Sequence, residues 1–192
     1  YYLLSQILVI ISFIYVYKLS NQILKNELYA ILSVLVLEGI IFFNYTTPEF
    51  NVYVAQLPFK ALVIYYCWKC INENKVLNWF LLGVFSGIGF LTHYSFIFLL
   101  ISIKLLFLFK ILNDKKFDYK YFIPGIVFLL IISPHLFWLI ENNFTTIRYA
   151  LGRANMDESG FINHLINPMT FILKQIGILI PLFFMILLIC SF

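Results

Sequence analysis

The 192-residue sequence is 62% hydrophobic and only 11% charged, with 22 Phe and 13 Tyr, and its mean hydropathy is +0.94. That balance excludes an ordinary soluble domain, whose surface could not be covered by so few polar groups. The net charge of +4 is spread thinly over connecting segments, and no nucleic acid is expected as a partner.

A bilayer core about 30 Å thick requires roughly 17 to 25 mostly apolar residues per span. Backbone groups within it must pair inside their own segment, and the alternation of a membrane barrel is absent, so the expected fold is all-α and multi-pass. About seven spans follow in order. The first covers about Leu3 to Tyr17, with a polar connection from Lys18 to Glu27. The second runs from about Leu28 to Phe43 and is stopped by Asn44-Tyr45-Thr46-Thr47-Pro48-Glu49,. The third occupies about Val52 to Ile71 and gives way to Asn72-Glu73-Asn74-Lys75.

From Leu77 to Leu112 there is little polarity, and one continuous helix of that length would reach about 54 Å. The segment must therefore fold back, and Thr92-His93-Tyr94 is its only polar break. Two short helices, about 77 to 91 and 95 to 111, are expected on either side. Gly83, Gly87 and Gly89 on the first would let a neighbouring helix approach closely. After the Lys-rich connection Asn113 to Lys120, a sixth span covers about Tyr121 to Ile140 and a last one about Thr170 to Ile189. A long polar loop, Glu141 to Met169, is expected between them.

Orientation follows from the bias of Lys and Arg toward cytoplasmic loops. Lys18, Lys25, Lys69, Lys75, Lys110, Lys115, Lys116 and Lys120 fall on one side; Arg148, Arg153 and Lys174 fall toward the other. The first side is expected to be cytoplasmic. The outer loops would then be about 44–51, 92–94 and 141–169, which together hold Glu49, Glu141, Asp157, Glu158, His93, His164 and both Arg, with His135 close by. The sequence reads as one transmembrane domain over 1–192, in the cytoplasmic (inner) membrane, with any chemistry facing outside.

The richest polar stretch is Ser133 to Arg153, SPHLFWLIENNFTTIRYALGR. Arg148 and Arg153, with Tyr149 between, offer planar guanidinium forks and a hydroxyl matched to phosphate oxygens; the alternative is headgroup anchoring by interfacial residues. His93 and Tyr94 at an enforced helix break suggest the wall of a cavity, or else a plain hinge. Glu49 is a candidate general base for an acceptor, or a favourable charge at a helix start. Glu38, Lys60 and Lys104 lie inside spans at matching depths, so Glu38 is expected to pair with Lys60 or Lys104. His135 and His164 read as satisfied or interfacial side chains. Cys67 and Cys70 form a CxxC without partners for a metal or a redox site, so packing is the better reading. No metal site is expected, the sequence names no cofactor, and no HExxH or Walker loop is present.

Three stretches in register resemble the multi-pass, lipid-phosphosugar-dependent glycosyltransferases of family 39, which include protein mannosyltransferases and the bacterial aminoarabinose transferase. Phe50-Asn51-Val52-Tyr53-Val54-Ala55-Gln56-Leu57-Pro58-Phe59 is similar to the family's Asn-rich helix start running into Leu-Pro. Trp79 to Gly83, then Gly87, Gly89 and Leu91-Thr92-His93-Tyr94, resembles its Trp-x-x-x-Gly-x-x-x-Gly-x-x-x-Leu-x-Lys-Tyr pattern, with His93 where the family has Lys. Pro134-His135-x-x-Trp138-Leu139, followed by Phe144, Arg148, Tyr149 and Ala150, is similar to the Pro-His-x-x-Trp segment of bacterial members.

The resemblance implies a GT-C type fold. It also implies transfer of a sugar from a polyprenyl-phosphate donor to a lipid, glycan or protein acceptor on the outer face, with inversion at the anomeric carbon. On it, Arg148, Tyr149, Arg153, His93 and Tyr94 would serve the donor and Glu49 the acceptor, while the family's main catalytic acid is expected upstream of Tyr1. The alternative is a transporter or flippase for lipid-linked or small anionic solutes, motivated by Glu38, Lys60 and Lys104.

Overall fold

The computed structural model describes residues 1–40, 42–115, 117–154 and 161–190, and the side chains among them except those at 153–154, 161–165 and 189–190. Among these residues the fold is all-α. Eight helices follow in order: α1 (Tyr2–Leu24), α2 (Glu27–Glu38), α3 (Val52–Glu73), α4 (Val76–Thr92), α5 (Ile97–Asp114), α6 (Ile123–Glu141), α7 (Thr145–Ala154) and α8 (Phe161–Cys190). Short 3-10 turns at Tyr94–Phe96 and Tyr119–Phe122 lead into α5 and α6.

Four segments are long and apolar enough to cross a membrane: Tyr2–Leu24, Tyr94–Asp114, Tyr119–Glu141 and Ile166–Leu188. The seven expected spans all contain helix, but they are unequal. α4 has 17 residues and α2 only 12, which at about 1.5 Å per residue is too short to traverse a bilayer core. The second predicted span therefore ends at Glu38 and not near Phe43. The side-chain amide of Asn44 folds back to donate to the Glu38 carbonyl, taking up an acceptor that the ended helix leaves open.

Helix ends follow from local chemistry. Asn26 accepts from the Leu28 and Tyr29 amides at 2.9 and 3.4 Å, and Asn51 accepts from Tyr53 and Val54 at 2.9 and 3.1 Å. Both are N-caps that satisfy orphan donors of a first turn. Asn74 closes α3 in the left-handed region at φ 48°, a conformation Asn tolerates better than most residues.

The core lies between α3, α4, α5 and α6. Val63, Cys67, Cys70, Trp79, Leu82, Phe96 and Phe107 form its buried cluster, and both cysteines are free thiols, as the packing reading anticipated. α4 packs closest on α6, α1 on α3 and α3 on α4. The glycines explain the first of these contacts: a Cβ at Gly83 would stand 2.7 Å from Val127 Cβ, and one at Gly87 would stand 2.7 Å from Ile131 Cγ2. Gly89 has a different role, its bare face seating the ring of Phe96.

At the Lys-rich end the two short connections are tied together. Asn74 Nδ2 donates to Asp118 at 2.9 Å, Asn74 Oδ1 accepts from the Trp79 indole at 2.9 Å, and Lys120 Nζ donates to the Asn74 carbonyl at 3.0 Å. Glu73 bridges Lys69 and Lys75 at 3.1 and 3.3 Å. The expected pairing of Glu38 with Lys60 or Lys104 is not formed. The ion pairs among the described residues use Glu73, Asp114 and Asp118, and all three residues of the expected set are exposed on the described surface. Equal depth in the sequence did not place them on facing sides of neighbouring helices.

Candidate functional site

The break between α4 and α5 falls at Thr92-His93-Tyr94, as expected. Thr92 Oγ1 donates to the Gly89 carbonyl at 2.6 Å, and His93 is extended at φ −165° and ψ 133°. Its Nδ1 then accepts from the Ser95 amide at 3.1 Å and lies 2.7 Å from Ser95 Oγ. With Nδ1 acting as acceptor, the neutral ring carries its proton on Nε2, which becomes the donor it can offer a ligand. The ring rests against Tyr53 with centroids 5.4 Å apart.

The backbone of the break is held from α3. Gln56 is fully buried and donates from Nε2 to the His93 carbonyl at 3.1 Å, satisfying an acceptor that the interrupted helix leaves open. Its Oε1 is buried with no partner among the described residues. The start of α3 is thus joined to the α4–α5 break through both Tyr53 and Gln56.

Tyr94 joins the break to α6 and α7. Its hydroxyl lies 2.7 Å from His135 Nε2 and 3.1 Å from Thr146 Oγ1. His135 points inward because it shares a stripe with buried Ile132 and Leu139 at spacings of three and four residues,. Pro134 has no amide to give the Leu130 carbonyl, and the hydroxyl of Ser133 donates there instead at 2.8 Å, so α6 continues through the proline to His135. Trp138 stacks on His135 with ring planes 13° apart and remains 44% exposed.

The chain turns back at the end of α6 through Asn143 and Phe144, both in the left-handed region at φ 50° and 55°. The Phe144 amide donates to the Leu139 carbonyl at 2.8 Å, and Thr145 Oγ1 donates to the Asn142 carbonyl at 2.6 Å. A left-handed Phe is costly, of order 1–3 kcal/mol, and persists where surrounding bonds over-determine it. The reversal lays α7 beside the end of α6, where Thr146 meets Tyr94. α7 corrects the expected loop 141–169, within which residues 161–169 also belong to the first turns of α8. Its signal was present in the sequence as Ile147, Ala150, Leu151 and Ala154 at helical spacing,.

The structure does not bring all the candidate residues together. Glu49 is exposed in the turn before α3, and it makes no ion pair or side-chain hydrogen bond among the described residues. Arg148 is exposed on α7; at about 100° per residue it lies roughly 160° around the helix from Thr146, whereas Tyr149 lies only about 60° away. Tyr149 is 67% exposed. The side chains of Arg153 and His164, and residues Asp157 and Glu158, lie outside what is described. The expectation missed the partners of Tyr94 and His93, namely Thr146, Ser95, Tyr53 and Gln56, and it gave His135 only the role of a satisfied side chain, which its bond to Tyr94 fits. Among the described residues no group of three His, Cys, Asp or Glu could hold a metal ion.

The profile of the family described as dolichyl-phosphate-mannose-protein mannosyltransferase matches residues 1–138. The lipopolysaccharide core galacturonosyltransferase RgtA of Rhizobium johnstonii is 25% identical over 144 residues, which are 72% of this chain and 28% of that protein. The chain thus aligns with little more than a quarter of this curated relative. No solved structure matches the chain.

Proposed function

The chain belongs to the dolichyl-phosphate-mannose-protein mannosyltransferase family, and from that premise we propose that it is part of the transmembrane domain of a glycosyltransferase. In this reading it transfers a hexosyl or pentosyl group from a polyprenyl-phosphate donor to a lipid, glycan or protein acceptor on the extracytoplasmic face of the cytoplasmic membrane. The observation that carries the reading is the meeting of three separated polar segments at one end of the bundle: the start of α3, the α4–α5 break and the α6–α7 turn, joined through Tyr53, Gln56, Tyr94, His135 and Thr146.

The chemistry suits that end. A polyprenyl phosphate keeps its tail in lipid and its phosphate at the interface. A cleft of about 480 Å³ between α4, α5 and α6 is lined mostly by apolar side chains, with Lys104 its one charged group; it runs toward the Lys-rich end, and none of the residues joined at the polar end lines it. As the acceptor oxygen or nitrogen attacks the anomeric carbon, the bond from that carbon to the phosphate oxygen breaks and negative charge builds on the departing phosphate. Donors fixed at that point stabilise the transition state. His93 through Nε2, with Arg148, Tyr149 and Arg153 on α7, are the donor-side assignments, and Tyr94 stands behind them. Glu49 takes the acceptor proton, with inversion at carbon.

The relative from Rhizobium johnstonii is named for galacturonosyl transfer to lipopolysaccharide core, which favours a glycolipid acceptor here too. The transporter or flippase alternative, motivated by Glu38, Lys60 and Lys104, gains no support from the family match. The test is turnover of a radiolabelled undecaprenyl-phosphate sugar by the full protein in proteoliposomes. Arg148→Ala should lower turnover at least tenfold, on the scale of a lost charge-assisted contact. Undiminished turnover would remove Arg148 from the donor site.

A further inference from the structure

We propose that His135 and Thr146 are positioning residues that act through Tyr94, docking α7 on the ends of α4 and α6 and fixing the rotation at which Arg148 and Tyr149 are presented. The inference rests on the donor reading above and deepens it, because neither residue is asked to touch substrate.

A tyrosine hydroxyl has one hydrogen and two acceptor lone pairs. Its two neighbours, His135 Nε2 at 2.7 Å and Thr146 Oγ1 at 3.1 Å, take one bond each. If His135 Nε2 accepts, Tyr94 donates to it and receives the Thr146 hydroxyl proton. If His135 Nε2 donates, Tyr94 passes its own hydrogen on to Thr146. If both neighbours donate, its two lone pairs take both bonds and the phenolic hydrogen is left over. In every arrangement Tyr94 keeps one bond to α6 and one to α7.

Geometry makes the clasp specific. His135 is fixed in turn by the stripe it shares with Ile132 and Leu139 and by the stacked Trp138 ring, so Tyr94 bonds to a rigid partner. On the other side, α7 is a ten-residue helix whose Ile147, Tyr149 and Leu151 are all exposed. The bond at Thr146 pins its rotation from the clasp side, which places Tyr149 toward the clasp and Arg148 away from it.

The test uses substitutions that leave volume almost unchanged, in the full protein reconstituted in nanodiscs, with undecaprenyl phosphate as the probe and undecaprenol as its uncharged control. Thr146→Val, which removes only the hydroxyl function, should weaken undecaprenyl-phosphate binding about two- to tenfold, the range of one hydrogen bond, and leave undecaprenol binding unchanged. Thr146→Ser should restore wild-type binding. Tyr94→Phe should weaken binding by at least as much, and adding Thr146→Val to it should cost nothing further, since both break one linkage.

Trypsin cleavage after Arg148 reports the docking of α7 independently of any ligand. It should be faster in Thr146→Val and Tyr94→Phe and unchanged in Thr146→Ser. Equal cleavage and equal binding in Thr146→Val and wild type would overturn the clasp. Faster cleavage with unchanged phosphate binding would overturn the positioning role. A wild-type protein that ignores undecaprenyl phosphate, while cleavage still follows the hydroxyl at 146, would place the failure in the donor reading and leave α7 docking established.

Discussion

Replacing Gly83 by Ala tests whether α4 and α6 are held together by the absence of a side chain. The added Cβ would stand 2.7 Å from Val127 Cβ and 2.9 Å from both the Cα and the carbonyl oxygen of Pro124. Two of these three atoms belong to backbone and cannot rotate away, so the helices must separate. Overpacking of this kind costs about 1–3 kcal/mol, and rigid neighbours put it in the upper half of that range. Ala is about 1 kcal/mol better than Gly inside a helix, which leaves a net loss of about 1–2 kcal/mol. At about 2–4 °C per kcal/mol for a chain of this size, Tm in detergent should fall by roughly 2–8 °C, followed by tryptophan fluorescence. Gly87→Ala should cost a similar amount, because one atom it meets, Ile131 Cβ at 2.8 Å, is fixed to the backbone of α6 and no rotamer change moves it. Gly177→Ala supplies the control: nothing lies within 4 Å of its added Cβ, so Tm should hold or rise. If Gly83→Ala matched Gly177→Ala, close approach at Gly83 would not govern the α4–α6 contact.

Two further outcomes are expected. Lys69, hydrogen-bonded to Glu73, leads Asn78 and Lys75 in holding that carboxyl at about 2 against an ordinary 4.5, and the Asn74 amide, ahead of the Lys120 amide, holds Asp118 below its ordinary 3.8. Carboxyls depressed on folding contribute stability that is complete above their unfolded values and lost as pH falls through the folded ones. Tm should therefore stay level above about pH 5 and drop as pH falls from about 4.5 toward 2, with Glu73→Gln shrinking the drop; a drop of the same size in that variant would refute the assignment. Single cysteines introduced by Thr92→Cys and Arg148→Cys, in a background without the native thiols, should react with a membrane-impermeant maleimide from the extracytoplasmic side. Reaction only from the cytoplasmic side would invert the topology and remove the proposed site from that face.

Helix identity was legible wherever one strong physical rule acted alone. The fold-back at Thr92 to Tyr94 followed from length, because a single helix over that segment would overrun any bilayer. The close α4–α6 approach followed from Gly83 and Gly87. What failed was inference by depth. Glu38, Lys60 and Lys104 share a level in the sequence, but the pairing also needs facing sides, and rotation about a helix axis is set by long-range packing that no local pattern records. α2 ended early for a comparable reason: the Asn44 amide turns back to the Glu38 carbonyl, and a side-chain bond across six residues outweighs the mild propensity of Gly39 to Phe43 to continue.

At the candidate site, residue types were more legible than their duties. Composition marked Ser133 to Arg153 as polar and the enforced helix break pointed to His93 and Tyr94, yet neither could show that the Tyr94 hydroxyl bonds to His135 and Thr146. Those bonds arise because Pro134 is accommodated by Ser133, which keeps His135 in register with Ile132 and Leu139, and because left-handed Asn143 and Phe144 return α7 to the same place. Each of these is a local rule whose result is felt 41 and 52 residues away, at Tyr94. The same reasoning separates Arg148 from Tyr149. They are neighbours in sequence and one chemical patch on paper, but about 100° apart on α7, so a phosphate bound on the clasp side meets Tyr149 first. Arg148 can reach that phosphate only from the far side of the helix, so a larger loss on Tyr149→Phe than on Arg148→Ala would mark the clasp side as the donor side.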